Sequence, residues 1–202
     1  MNDAVRRQEF LTLMQRLETE PSHVLQVAAL SLRLFDDLLP LHGLGPDERL
    51  LLEAAACLHD IGWSVVPDGK GHHKESARLI SEHPWESWPA SDIALIAMIA
   101  RHHRKSPPGA EHEDYMALPP ADQHRVRHLA ALLRVGDALD RSHTQRIQHV
   151  EAVIQADTVT VRLASARPID AELKSLQKKG DLAETMWQRR IQTERIKLAA
   201  AV

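Results

Sequence analysis

Apolar residues recur at helical spacing through the first 145 residues, and glycine and proline interrupt the pattern at intervals. Val24, Val27 and Phe35, for example, share one face of a helix that opens at Pro21. The interruptions predict six helices: residues 4–17, one beginning at 21, and residues 46–62, 72–81, 91–102 and 121–140. Only 3% of the residues are aromatic, so Leu, Ala, Ile and Val must fill the core. That composition favours packed helices over a β-sandwich.

Beyond residue 145 the apolar pattern changes from helical spacing to alternation. Apolar residues alternate over 150–154 and again over 159–163, with Ala156-Asp157 between the two runs. This pattern predicts a β-hairpin, and one or two helices broken at Gly180 are expected to follow it. The predicted fold is therefore mainly all-α: a helical body over residues 1–145, and a hairpin-plus-helix tail over residues 146–202 packed on it.

Charge and cysteine usage exclude several classes of protein. The formal net charge is −3, with acids and bases interspersed, so neither a nucleic-acid duplex nor a membrane surface is an expected partner. The single cysteine, Cys57, lies in an apolar run, as a buried residue in a reducing compartment would. No signal peptide opens the sequence, and no uncharged stretch approaches the roughly 18 residues that span a bilayer. We expect a cytoplasmic protein, with the oligomeric state left open and a homodimer as one option.

Histidine is the residue type that carries most information, with thirteen in 202 residues. His59-Asp60 ends the third predicted helix, where two ionisable side chains are costly unless they are paired or bind a metal; helix capping is the alternative. His23 stands in an apolar helix, and Asp137 lies within an apolar run of the sixth helix. A buried carboxylate needs a partner, and divalent metals accept both imidazole nitrogen and carboxylate oxygen.

The order His23, His59-Asp60 and Asp137 resembles the H…HD…D signature of the HD superfamily of metal-dependent phosphohydrolases. The segment from Leu58 to Gly62, which reads Leu-His-Asp-Ile-Gly, carries much of this resemblance. It implies an HD-type helical bundle in which these four residues ligate one divalent ion of the Mn, Fe, Zn, Mg, Ni or Co class. Their ligand atoms should then lie within about 5 Å of one point. The resemblance also implies that His59 and Asp60 are catalytic.

Three further histidines indicate a second ion. His72, followed by Ser76 and Ala77, is similar to the segment after HD in two-metal members, and His102-His103 is similar to the paired histidines of the HD-GYP phosphodiesterases. Asp60 would then bridge two ions about 3.5–4 Å apart. The sequence departs from HD-GYP proteins after His103, so cyclic-dinucleotide cleavage is not expected. Surface histidines are the alternative interpretation of His72, His102 and His103.

A narrower resemblance is to the C-terminal HD domain of exopolyphosphatase/guanosine pentaphosphatase proteins. Three segments carry it: residues 72–77, 99–104 and 133–143, the last followed by the hairpin and helix. In those proteins the phosphatase site lies in an N-terminal actin-like region. Since Met1 opens directly onto the helices, we expect this chain to lack that region, and only the HD fold and metal chemistry to transfer.

The expected function is hydrolysis of a phosphoester or phosphoanhydride in a nucleotide or polyphosphate-like substrate, by metal-activated water. A phosphorylated small molecule or nucleotide is thus the expected partner. The alternative is a non-catalytic regulatory or dimerisation module that binds such a ligand as the partner of an exopolyphosphatase-like enzyme. Whether Arg141 and His143 face the pocket or solvent stays open. The cations expected to bind phosphate, with solvated surface charges as the alternative, are Lys74, Arg101, Arg104, Lys105 and Arg141.

Overall fold

Helices dominate the computed structural model, which describes residues 2–66 and 68–197. In chain order the helices are α1 (Asp3–Leu17), α2 (Pro21–Asp37), α3 (Leu39–His42), α4 (Pro46–Leu58), α5 (His72–Glu82), α6 (Ala90–Arg101), α7 (Glu113–Met116), α8 (Pro120–Leu139), α9 (Asp170–Lys179) and α10 (Asp181–Trp187). A 3-10 turn, Ile61–Ser64, joins α4 to the loop before α5. The strands are β1 (His149–Ile154), β2 (Thr158–Ala164) and β3 (Arg190–Ile196). The prediction of a mainly helical fold is confirmed.

Proline sets the start of several helices. Pro21, Pro46 and Pro120 each occupy the first turn of α2, α4 and α8, where the missing N–H has no partner to lose. Two short helices, α3 and α7, were not among the six predicted ones. No helix in the described part of the chain is long and apolar enough to cross a membrane.

The core lies between α2, α4, α6 and α8, whose apolar faces meet. Leu34, Leu51 and Leu133 are among the side chains fully or almost fully withdrawn from solvent there. Helices α2 and α8 approach closely at Gly136, where an added Cβ would lie 2.1 Å from Ser31 Oγ. This close crossing matters for function because it brings the first turn of α2 beside the last turn of α8.

The tail contains a three-stranded sheet of order β1-β2-β3. The predicted hairpin is confirmed, since β1 and β2 pair antiparallel with Val150 opposite Leu163. The prediction that only helices follow is wrong, because residues 190–196 form β3 and pair in parallel with β2. Strand β3 is mostly exposed, so it lacks the buried alternating face that would have marked it, and main-chain pairing holds it. Residues 198–202 of the predicted tail lie outside the described residues.

Candidate metal centre

Six ionisable side chains from five helical elements meet in one buried cluster. His23 comes from the first turn of α2, and Asp137 from the last turn of α8. The others stand where α4 ends, α5 begins and α6 ends, which are positions where the chain can turn a side chain inward. All six are at most 7% exposed: His23, His59, Asp60, His72, His103 and Asp137.

Asp60 is the centre of the cluster, and its two oxygens face different histidine pairs. Oδ2 lies 3.7 Å from His59 Nε2 and 3.9 Å from His23 Nε2. Oδ1 lies 3.2 Å from His72 Nε2 and 3.4 Å from His103 Nε2. Asp137 lies beside the pair formed by His23 and His59, with its Oδ1 3.8 Å from His23 Nε2.

The same atoms form three overlapping sets that could hold a metal ion. In each set the ligand atoms lie within 4.8 Å of one another. The sets are His23, His59 and Asp60; His59, His103 and Asp137; and Asp60, His72 and His103. The four side chains assigned to the first ion thus come together, and two of the three histidines assigned to a second ion join them.

Each of the four histidines is oriented through its Nδ1 atom, which leaves Nε2 facing the cluster. A carbonyl oxygen can only accept, so an Nδ1 facing one carries the proton, and Nε2 of the neutral ring then presents its lone pair. Metal-binding histidines are commonly held in this way. The Nδ1 partners are Asp140 Oδ2 at 2.9 Å from His23, Ala56 O at 2.7 Å from His59, Gly69 O at 3.0 Å from His72, and Ala100 O at 2.7 Å from His103.

Two buried nitrogen atoms of the cluster test whether a metal fits. Among the described residues, neither His23 Nε2 nor His59 Nε2 has a hydrogen-bond partner. Leaving such buried polar atoms unsatisfied costs about 1–3 kcal/mol each. A divalent cation would satisfy both lone pairs and offset the charges of Asp60 and Asp137. The donor set therefore fits a divalent metal that accepts both nitrogen and oxygen ligands.

Electrostatics within the cluster keep its carboxylates ionised and a histidine neutral. Burial raises the pKa of Asp60, but His59, His72 and His103 outweigh it and hold the pKa well below its usual range. At Asp137 burial also raises the pKa, but the adjacent Lys179 outweighs it, so the pKa of Asp137 is lowered as well. Burial, with the charge of His59, lowers the pKa of His103 well below its ordinary value. These are the protonation states in which side chains bind a metal.

Gly62 explains how His72 reaches Asp60. The N–H of Gly62 donates to Ser76 Oγ at 2.9 Å, which ties the 3-10 turn to α5. A Cβ on Gly62 would lie 2.1 Å from the backbone oxygen of His72 and 2.6 Å from the backbone nitrogen of Ser76. Only glycine permits this contact, so Gly62, the last residue of the Leu-His-Asp-Ile-Gly segment, sets the distance between Asp60 and His72.

A cleft of about 450 Å³ opens onto the cluster, and five cationic side chains form part of its wall. Lys179 is ion-paired with Asp137, and Arg104 Nη1 lies 3.1 Å from His72 Nε2. Of the residues expected to bind phosphate, Arg104 and Arg141 line this cleft. Sequence reasoning missed the α9 lysines, although Lys174 and Lys178 at i, i+4 share a helix face. The five cations of the wall are Arg104, Arg141, Lys174, Lys178 and Lys179.

His143 also lines the cleft, which settles where it faces. Its ring stacks on that of His23 with 3.7 Å between the centroids, and its Nδ1 lies 2.5 Å from Glu20 Oε2. The backbone of His143 has φ +53°, a left-handed conformation that is uncommon outside glycine and is frequent at functional sites. His143 thus packs on the outer face of a cluster histidine.

Some predicted site residues lie elsewhere. His102 is buried, but its Nδ1 faces Ser106 O at 3.2 Å and its ring packs on His112, so the structure does not bring it to the cluster. His102 caps the end of α6 and His103 follows it, and adjacent side chains there diverge. Three predicted phosphate-binding residues, Lys74, Arg101 and Lys105, line a separate cleft with His102.

Comparison with known proteins identifies the family of the chain. The family described as Ppx/GppA phosphatase, domain III, matches residues 5–184, which include the helical body, the hairpin, α9 and most of α10. No curated protein matches the chain. Because the match covers most of the sequence, the chain belongs to the Ppx/GppA phosphatase domain III family.

Proposed function

We propose that the protein is an HD-type, metal-dependent phosphohydrolase acting on a phosphoester or phosphoanhydride of a phosphorylated small molecule or nucleotide. One observation carries the proposal: the two oxygens of Asp60 face separate histidine pairs, directly beside a cleft with five cationic side chains. A shared carboxylate between two sets of ligands is typical of two-metal hydrolases. The family match supports a relation to phosphatases.

His23, His59, Asp60 and Asp137 would hold the first ion, and His72 and His103 would hold a second with Asp60 shared between them. Bound divalent ions lower the pKa of a coordinated water and polarise a phosphoryl oxygen. The side chains contribute orientation, because each histidine is fixed through Nδ1 before any ligand arrives. His59 and Asp60 are the residues that the proposal places at the reacting centre.

The cationic wall would bind the substrate. Arg104 and Arg141 can each offer two parallel N–H donors to a phosphate, and the α9 lysines add point charges. Lys179 differs from the others because it is already paired with Asp137. If Asp137 held an ion, that ion would screen the carboxylate charge, and Lys179 could then donate to a phosphate oxygen.

The Lys179–Asp137 ion pair also favours a second candidate function. Lys179 neutralises the Asp137 carboxylate without a metal. A non-catalytic module that binds a nucleotide or polyphosphate would use such a pair in place of an ion. Metal content separates the two candidates, because the binding module needs no ion.

Elemental analysis of the protein purified without added metal should find divalent ions at up to two per chain. Chelation should remove phosphate release from nucleotide and polyphosphate substrates, and Mn²⁺ should restore it. His103→Ala should lower the metal content, because His103 belongs to two of the three ligand sets. His102→Ala is the matched control and should leave it unchanged. Full activity in chelated protein would contradict the catalytic proposal.

The double substitution Lys174→Ala/Lys178→Ala should raise KM for a phosphorylated substrate about tenfold with little change in kcat. Both lysines are exposed on the cleft wall, and an exposed charge pair contributes up to about 1 kcal/mol. Steady-state kinetics at fixed ionic strength measure the effect. Lys70→Ala, which removes an exposed lysine outside the cleft, is the control. An unchanged KM would remove α9 from the substrate site.

A further inference from the structure

A second cleft lies on the other side of Arg104 from the metal centre. It has a volume of about 570 Å³, which is within the range of small-molecule sites. Four cationic side chains and one carboxylate, that of Glu111, line it. The cations are Lys74, Arg101, Arg104 and Lys105. Arg104 lines both clefts, whereas the other three cations have no part in the metal centre.

Three of these cations have no anionic partner among the described residues. Arg101 pairs with Asp114 at 3.0 Å, and Arg104 lies against His72. Within residues 2–66 and 68–197, neither Lys74 nor Lys105 has a carboxylate within ion-pairing distance. The unpaired cations outnumber the one carboxylate of the cleft, that of Glu111, and this favours a phosphate or similar anion.

The loop that carries Lys105 is held in place by a buried arginine. Arg134, which is 3% exposed, donates from Nη1 to His102 O at 3.3 Å and to Lys105 O at 3.0 Å. Its Nη2 pairs with Asp181 at 3.1 Å. Lys105 itself has φ +58°, an uncommon left-handed backbone that surrounding contacts must maintain. The cleft wall is thus fixed before a ligand binds.

His102 supplies a feature that a surface patch of lysines would lack. It lines the cleft at 1% exposure, and its Nε2 has no hydrogen-bond partner among the described residues. Because Nδ1 donates to Ser106 O, Nε2 of the neutral ring is an acceptor. The dianion of a phosphate monoester, its form above a second pKa of about 6, offers no hydrogen to it. A phosphate ester that satisfies both the lysines and His102 therefore needs a separate donor, such as a hydroxyl group.

We propose that this cleft is a second binding site, for a hydroxyl-bearing phosphate ester such as a sugar phosphate. The phosphate binds Lys74 and Lys105, and a hydroxyl donates to His102 Nε2. The site needs no metal, so it stands or falls separately from the proposed hydrolase activity.

Isothermal titration of EDTA-treated protein with ribose 5-phosphate tests the site. Binding should be measurable, and Lys74→Glu/Lys105→Glu should weaken it at least about tenfold, as expected for losing charge-assisted hydrogen bonds. Lys70→Glu, a charge reversal on an exposed lysine outside the cleft, should leave it unchanged. Equal affinity of the double variant and the wild type, or no binding by the wild type, would overturn the proposal.

The role of His102 has its own readout. Above the second phosphate pKa of about 6, ribose 5-phosphate should bind more tightly than methyl phosphate, whose dianion carries no hydroxyl, and uncharged ribose should not bind detectably. His102→Leu should remove this difference while methyl phosphate still binds. If that variant misfolds by circular dichroism, the wild type alone decides, because equal affinity for the two phosphates would exclude a hydroxyl contact with His102.

Discussion

Replacing Asp60 with alanine is expected to abolish metal-dependent phosphate release and to reduce bound metal. Losing an outer-shell partner of a metal ligand typically costs about 10–100-fold in affinity or activity. Asp60 is a proposed ligand itself, and its two oxygens face two different histidine pairs. Removing Asp60 should therefore lower metal affinity and activity by more than about 100-fold, beyond the upper end of that range. Phosphate release and elemental analysis measure the two effects.

The control for Asp60→Ala is Asp114→Ala, which removes an exposed carboxylate paired with Arg101 outside the cluster. Asp137→Ala should behave like Asp60→Ala, with both variants folded by circular dichroism. Retained activity in either folded variant would show that the reaction takes place elsewhere in the protein.

Gly62→Ala is expected to lower the free energy of unfolding by about 1–3 kcal/mol, the usual cost of overpacking. The new methyl group would meet backbone atoms of His72 and Ser76, which cannot rotate away as a side chain would. The start of α5 must therefore move, and His72 moves away from Asp60. Urea unfolding of chelated protein measures the stability loss, and metal stoichiometry measures the displacement of His72.

Gly45→Ala is the matched control, because its added Cβ would meet only Glu48 Oε2 at 3.4 Å, an ordinary contact. The control should lose at most about 1 kcal/mol, as expected of a changed N-cap. Should Gly62→Ala keep both the stability and the metal content of the wild type, the tight contact between the 3-10 turn and α5 would have no functional importance.

Much of this architecture could be predicted from the sequence because its signals are local. Prolines mark the first turns of α2, α4 and α8, and alternation marks β1 and β2. The convergence of His23, His59, Asp60 and Asp137 could also be anticipated, because their order resembles the HD-superfamily signature. The cost of burying ionisable side chains indicated only that each needed a compensating partner, not which residues would meet.

Other features could not be predicted because they depend on tertiary packing. His102 and His103 are adjacent and look equivalent in the sequence. Both follow the end of α6 at Arg101, and only the side chain of His103 turns to Asp60. The lysines of α9 look like a solvated face until the helix packs on α8. Strand β3 has no buried face of its own, and its pairing with β2 determines its conformation.

The parallel pairing of β2 and β3 has a mechanical consequence for the metal centre. Parallel neighbours cannot be joined by a tight turn, so α9 and α10 form the crossover between them. Both ends of the crossover that carries Lys179 are thus fixed to one sheet. A slip of one residue between β2 and β3 would shift the end of the crossover by about 3.3 Å, more than an ion pair tolerates. Strand register, far from any ligand, controls the alignment of the cleft wall with the cluster it faces.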